Sequence, residues 1–65
     1  MLIVMRRDAS RDDIQKVKDK VHALGFLSHE IPGAQRTAIA ITGNKGKINP
    51  ELFSIMHGVE EAFPV

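Results

Sequence analysis

Residues 26–43 read FLSHEIPGAQRTAIAITG, and this stretch decides the fold that the whole chain predicts. Two short runs of strand-forming residues flank Pro32 and Gly33, a pair that is typical of tight turns. The stretch therefore predicts a β-hairpin, with one strand from Phe26 to Ile31 and the next from Thr37 to Thr42.

The two faces of this hairpin differ in chemistry. Side chains alternate along a strand, so Leu27, His29 and Ile31 point the same way in the first strand. In the second strand the bulky residues Thr37, Ile39 and Ile41 alternate with the small residues Ala38, Ala40 and Thr42. Small side chains often mark a place where another backbone comes close.

The segment before the hairpin predicts a strand and a helix. Residues 1–6 are mostly apolar, which favours a strand buried on both faces. Ser10 and Asp13 have the spacing of a capping box, and Gly25 is typical of a helix end. Between them, four apolar residues fall within an arc of about 80° at about 100° per residue: Ile14, Val17, Val21 and Leu24.

The segment after the hairpin predicts a loop over residues 43–47, then a second helix and a last strand. Asn49 followed by Pro50 is a typical helix start, and Gly58 is expected to end the helix. Its apolar face is predicted from Leu52, Phe53, Ile55 and Met56. Residues 59–65 alternate as a strand, and Pro64 favours an edge position.

The order β, α, β, β, α, β predicts an α+β, ferredoxin-like fold in a single domain over residues 1–65. Right-handed crossovers give one four-stranded antiparallel sheet, with both helices on one face and the first and third strands central. The other face is left bare. We expect Leu27, Ile31 and some bulky residues of neighbouring strands there, and exposed apolar patches usually mark interfaces.

Composition excludes several classes of function. Nine Lys and Arg oppose eight Asp and Glu, and the basic residues are scattered, so we expect no nucleic-acid partner. The chain has no Cys and no apolar run that could span a membrane, so we expect a cytoplasmic protein without a membrane partner. The three histidines lack metal-ligand spacing, which predicts no metal site.

Catalysis by these residues alone is not expected. Asp12 and Asp13 belong to a helix start, and Glu60 and Glu61 point to opposite faces of a strand, so neither pair converges as acid and base. His29 has two interpretations of about equal weight. It is either a structural strand histidine or a hydrogen-bonding group for a ligand or partner on the bare face.

Three segments resemble one known family: MLIVMRRDASRDDIQKVKDKVHALGF, SHEIPGAQRTAIAITGN and VEEAFPV. They are similar to the N-terminal ferredoxin-like, ACT-type regulatory domain of type Iβ 3-deoxy-D-arabino-heptulosonate-7-phosphate synthase (DAHP synthase). The resemblance covers essentially all 65 residues. Its most specific parts are residues 29–33, the Gln35-Arg36-Thr37 start of the third strand, and Gly43.

The resemblance implies a regulatory domain cut from a larger enzyme. In the family, a (β/α)8 barrel follows, condenses phosphoenolpyruvate with erythrose 4-phosphate, and carries the divalent metal. That reaction is the first step of aromatic amino acid synthesis. This chain is then expected to be non-catalytic and to hold no cofactor of its own.

The resemblance also implies an effector and partners. An aromatic amino acid, tyrosine or phenylalanine, is expected to bind between regulatory domains of neighbouring subunits and to inhibit by feedback. Ligand contacts are expected from His29, Ile31, Gly33 and Thr37, and the interface with a second copy or with the barrel from Leu27 and Ile31. Where the family's strand can offer a small polar side chain two residues after the histidine, this sequence has Ile31.

Two functions of different classes follow. The first is an allosteric module that binds an aromatic amino acid, and the alternative is an assembly module that pairs through its bare sheet face without a ligand. An RNA-binding ferredoxin-like domain is disfavoured, because it needs aromatic residues on central strands and these strands have none.

Overall fold

The computed structural model describes residues 1–43 and 46–64, so the predicted loop at residues 44 and 45 and the predicted strand end at residue 65 lie outside the described residues. Six elements follow one another in the predicted order. They are β1 (Leu2–Met5), α1 (Arg11–Ala23), β2 (Leu27–Pro32), β3 (Thr37–Thr42), α2 (Glu51–Ser54) and β4 (Val59–Phe63).

The four strands form one antiparallel sheet in the order β2-β3-β1-β4. β1 and β3 are central and β4 is an edge strand, which confirms the ferredoxin-like arrangement. Register shifts between Val4 and Met5 where β1 pairs with β4. Such a bulge bends the edge strand and increases its local twist.

α1 begins and ends at the predicted signals. The Ser10 hydroxyl accepts the backbone N–H of Asp13 at 3.0 Å, and the Asp13 carboxylate accepts the backbone N–H of Ser10 at 3.1 Å. At the other end Gly25 has a φ of +85°, and the N–H groups of Gly25 and Phe26 donate to carbonyl oxygens of the last turn at 2.9 and 3.1 Å. This is a Schellman ending, which requires a left-handed residue.

The core lies between the helices and one face of the sheet. α1 contributes three buried aliphatic residues to it, and α2 contributes Phe53, which is fully buried. The sheet contributes Ile3, Met5, Ile39, Ile41 and Val59. The bulky face of β3 therefore packs under the helices, and its small face points away from them.

α2 is shorter than the sequence predicts. The Asn49 side chain accepts the N–H of Glu51 at 3.0 Å, as expected of a cap, but the helix ends at Ser54. Ile55, which was predicted to belong to the apolar face, is consequently 83% exposed and does not pack in the core. Within the part of the chain that the structure describes, no helix is both long and apolar enough to cross a membrane.

Candidate functional site

The sheet face opposite the helices, here called the open face, carries three of the five residues predicted to bind a ligand or a partner, namely Leu27, His29 and Ile31. Strand register and alternation place ten side chains on it. β2 contributes Leu27, His29 and Ile31, β3 contributes Ala38, Ala40 and Thr42, β1 contributes Leu2 and Val4, and β4 contributes Glu61 and Phe63. Glu61 is the only member with a formal charge when histidine is neutral.

A trough runs along β3 in the middle of this face. His29 pairs with Ala40 and Ile31 pairs with Ala38 on one side of β3. On its other side, Leu2 pairs with Ala40 and Val4 with Ala38. Because alanine stops at Cβ while its neighbours extend further, the trough lies between strands β2 and β1, which are about 10 Å apart. Its floor and most of its walls are apolar.

Large apolar side chains line the edges of the open face. Leu27 is 61% exposed, Ile31 is 50% exposed and Phe63 is 40% exposed. The predicted interface residues Leu27 and Ile31 therefore do lie together on this face. The bulky residues that neighbouring strands add to this face are Leu2, Val4 and Phe63. The bulky residues of β3, Ile39 and Ile41, do not lie there, because they are buried under the helices.

His29 forms the polar end of the trough with a partner from the adjacent strand. Its Nε2 atom lies 2.9 Å from the Thr42 hydroxyl, and both side chains are exposed. An imidazole and a hydroxyl can each donate or accept a hydrogen bond, so the pair can rearrange to receive a third polar group. The pair therefore offers adaptable hydrogen bonding beside an apolar floor.

Two predicted ligand residues lie elsewhere. Thr37 shares the parity of Ile39 and Ile41, so it points to the helix side of the sheet, away from His29 and Ile31. Gly33 lies in the turn between β2 and β3, where an added Cβ would overlap the Arg36 carbonyl oxygen. The structure thus brings His29 and Ile31 together, gives Gly33 a role in closing the turn, and does not bring Thr37 to the trough.

On the helix side, an aspartate joins two distant segments. Asp13 is buried, with its Oδ1 atom 3.0 Å from Nδ1 of His57, and its Oδ2 atom accepts the Ser10 N–H. The Ser10 backbone N–H, and after it the His57 ring, hold the pKa of Asp13 below its ordinary value. His57 lies in the turn that follows α2. Its exposed ring ties the turn before β4 to the start of α1.

Glu30 joins β2 to α1. Its carboxylate accepts from the Arg11 guanidinium at 2.8 Å and from the Lys18 ammonium at 3.3 Å. The hydrogen bond from Arg11, followed by that from Lys18, lowers the pKa of Glu30 against the effect of desolvation. Nearby, the Ser28 hydroxyl lies 3.0 Å from Nε2 of His22. These polar side chains of β2 thus bond within the chain.

The side-chain groupings that bind metal ions are absent from the described residues. Among residues 1–43 and 46–64, no group of three His, Cys, Asp or Glu side chains could hold a metal ion. On the helix side, the carboxylates of Asp13 and Glu30 are already paired, with His57 in the first case and with Arg11 and Lys18 in the second.

Sequence reasoning did not name Leu2 and Val4 of β1 as one wall of the trough, or Thr42 as the partner of His29. The signal that could have found Thr42 is the length of the turn, because it sets the register in which Ala40 faces His29 and Thr42 lies diagonally beside it. The small face of β3 was visible in the alternation of Ala38, Ala40 and Thr42.

Comparison with known proteins gives a family and a solved relative. The family described as DAHP synthase ferredoxin-like domain matches residues 1–65. A crystal structure of phospho-2-dehydro-3-deoxyheptonate aldolase (DAHP synthase) from Thermotoga maritima is similar with a TM-score of 0.88 and 25% sequence identity. The similarity covers 98% of this chain and 19% of that one. No curated protein matches the chain closely enough to be compared with it.

Proposed function

The chain belongs to the DAHP synthase ferredoxin-like domain family, and we propose that it is a non-catalytic regulatory domain that binds an aromatic amino acid on its open face. The parent protein is then a cytoplasmic transferase that condenses phosphoenolpyruvate with erythrose 4-phosphate. Its catalysis and its divalent metal belong to a barrel domain outside this chain, which spans about a fifth of the length of the Thermotoga protein.

The observation that carries the proposal is the trough over Ala38 and Ala40. An aromatic ring is flat and apolar, and a floor of two alanines between taller side chains accepts such a shape. The His29 and Thr42 pair at one end supplies hydrogen bonding that an amino acid with a phenol hydroxyl can use. Apolar walls with a few polar groups are typical of small-molecule sites.

A second copy of the domain completes the site. The trough is open to solvent on one side, so a ligand bound there alone would leave much of its ring in water. Leu27, Ile31 and Phe63 are exposed around it and gain from being covered, since each Å² of apolar surface removed from water is worth about 25 cal/mol. Two open faces with a ligand between them bury all of these groups.

Regulation follows from a site shared in this way. A ligand shifts an equilibrium only by the difference in its affinity for the two states. An amino acid bound between two open faces has that difference, because its full set of contacts exists only in the paired arrangement. Pairing of regulatory domains would then change access to the catalytic barrel.

The test is to titrate the chain with L-tyrosine and with L-phenylalanine by calorimetry, and to follow self-association by sedimentation velocity in parallel. We expect binding together with a shift towards dimer. His29→Ala should weaken tyrosine binding by about two- to tenfold, the value of one hydrogen bond. His22→Ala is the matched control, since that histidine lies on α1 and bonds to Ser28.

Absence of binding by either amino acid at millimolar concentration would overturn the ligand role.

The second candidate, an assembly module without a ligand, is favoured by the exposure of Leu27 and Ile31. It predicts dimers in the absence of any amino acid that Leu27→Glu with Ile31→Glu dissociates. Ile55→Glu is the control, because Ile55 is exposed outside the open face.

A further inference from the structure

The proposed ligand carries a negative charge that the open face does not balance. An amino acid at neutral pH has a carboxylate, and the one formally charged residue among the ten of the open face is Glu61, which is itself negative. A charge that is partly removed from water without a partner weakens binding. The balancing cation must therefore lie beyond an end of the trough.

Two arginines lie where the floor of the trough ends. Val4 pairs with Ala38, and β1 ends at Met5 while β3 begins at Thr37, so Arg6 and Arg36 lie directly beyond the strand ends there, and both line one cleft. At about 3.3 Å per residue, the Arg36 backbone is about 7 Å beyond Ala38 and about 13 Å beyond Ala40. The trough thus has a hydroxyl and an imidazole towards one end, and the chain continues into arginines beyond the other end.

These arginines line a cleft that is short of negative charge. The cleft has a volume of about 350 Å³ and is lined by Arg6, Arg7, Asp8, Arg36 and Glu60. Arg6 donates to Asp8 at 3.0 Å. Within residues 1–43 and 46–64, neither Arg7 nor Arg36 forms an ion pair. Three cations against two carboxylates give the lining a surplus of one positive charge, which attracts an anion.

The turn holds Arg36 at this end of the trough. An added Cβ on Gly33 would overlap the Arg36 carbonyl oxygen, so the two backbones are in close contact there. Pro32 pairs with Thr37, the residue directly after Arg36. The backbone of Arg36 is thereby anchored on both sides while its side chain remains exposed.

We propose that Arg36, with Arg6 beside it, binds the α-carboxylate of the aromatic amino acid whose ring lies over Ala38 and Ala40. A guanidinium group can bind a carboxylate through two parallel hydrogen bonds, a geometry that lysine cannot reproduce. The inference rests on the proposed function and adds the orientation of the ligand. The far end of the ring points to His29 and Thr42, and the carboxylate points to the turn.

The test compares each amino acid with its amide, which lacks the negative charge. L-tyrosine, L-tyrosinamide, L-phenylalanine and L-phenylalaninamide are titrated at about pH 6, where the α-amino group is largely protonated. For the unaltered chain we expect the acid to bind about tenfold more tightly than its amide, the value of a charge-assisted hydrogen bond. In Arg36→Gln the two should bind with nearly equal affinity.

Two further variants separate the contact from general effects of charge. Arg36→Lys keeps the positive charge and should retain part of the preference for the acid. Lys16→Gln removes one charge from the exposed side of α1 and should leave the tenfold preference unchanged. Circular dichroism of each variant checks that the fold is intact.

Each remaining outcome overturns a defined claim. If Arg36→Gln keeps the tenfold preference, the carboxylate binds elsewhere, and the inference fails while the proposed function stands. If acid and amide lose affinity equally in that variant, the contact is not with the carboxylate, and the inference fails. If the unaltered chain binds none of the four compounds, the proposed function and the inference both fail.

Discussion

Gly58→Ala is expected to destabilise this protein far more than Gly25→Ala, although the two glycines have nearly the same backbone conformation. Their φ angles are +87° and +85°. An added Cβ on Gly25 has no neighbour within 4 Å. An added Cβ on Gly58 would lie 2.8 Å from Cβ of Asp13 and 2.9 Å from its Oδ2 atom. The pair therefore separates backbone strain from steric overlap.

The cost of Gly25→Ala comes from the backbone alone. A left-handed conformation costs an ordinary residue about 1–2 kcal/mol. Alanine also restricts the unfolded chain, which stabilises the folded state by about 0.4–1 kcal/mol and offsets part of this cost. We therefore expect Gly25→Ala to lower the free energy of unfolding by about 1 kcal/mol.

Gly58→Ala carries the same strain and an overlap that the protein cannot relieve by rotating a side chain. The nearest atom is Cβ of Asp13, whose position is fixed by the backbone of α1. Either the turn before β4 or the first turn of α1 has to move. Overpacking of this kind costs about 1–3 kcal/mol, so the total reaches about 2–4 kcal/mol. The whole stability expected for 65 residues is about 3–10 kcal/mol.

Urea denaturation followed by far-UV circular dichroism measures both values. Asp13→Gly removes the colliding Cβ, so in that background the extra cost of Gly58→Ala should disappear, as in a double-mutant cycle. If the two alanine variants agree within about 0.5 kcal/mol, a difference inside the usual error of such measurements, the contact between Gly58 and Asp13 does not constrain the fold.

Two more predictions concern charged groups of the helix side. The lowered pKa values of Asp13 and Glu30 give stability that is complete above about pH 5, where unfolded carboxylates are ionised, and that is lost as pH falls through the folded values. When the free energy of unfolding is measured against pH, Asp13→Asn should reduce its fall at acid pH more than Asp12→Asn does. Equal pH dependence in the two variants would contradict this. Glu30→Gln removes the charged acceptor for Arg11 and Lys18, so the melting temperature of this variant should fall below that of the unaltered chain. The difference between the two melting temperatures should be smaller in about 1 M salt, where charges are screened within about 3 Å. A difference that does not depend on salt would mean that packing, rather than charge, holds β2 to α1.

Local signals were sufficient to predict the elements and their order. The capping pair of Ser10 and Asp13 and the left-handed Gly25 act within a few residues of chain, so the helix between them could be predicted from spacing alone. α2 was overestimated because Ile55 and Met56 continue an apolar pattern after the backbone has stopped being helical. Composition predicts a face, whereas hydrogen bonding decides where the helix ends.

The site was predicted less completely because it depends on register. Alternation put His29 and Ile31 on one face, but which residues of β3 and β1 stand beside them depends on how the strands pair. Thr37 shows the consequence, since it was expected near the ligand and points to the other side of the sheet. The contact of Asp13 with His57 joins residues 44 apart in sequence, and no local pattern predicts it.

The distribution of polar partners explains why the open face is the better candidate for function. On the helix side, the carboxylates of Asp13 and Glu30 and the hydroxyl of Ser28 each have a partner within the chain. A ligand there would have to replace bonds that already stabilise the fold. On the open face, the bond between His29 and Thr42 joins two exposed groups, and its exchange for a ligand bond exposes no buried polar atom. Binding on that face can therefore use its full contact energy to favour one arrangement of domains over another.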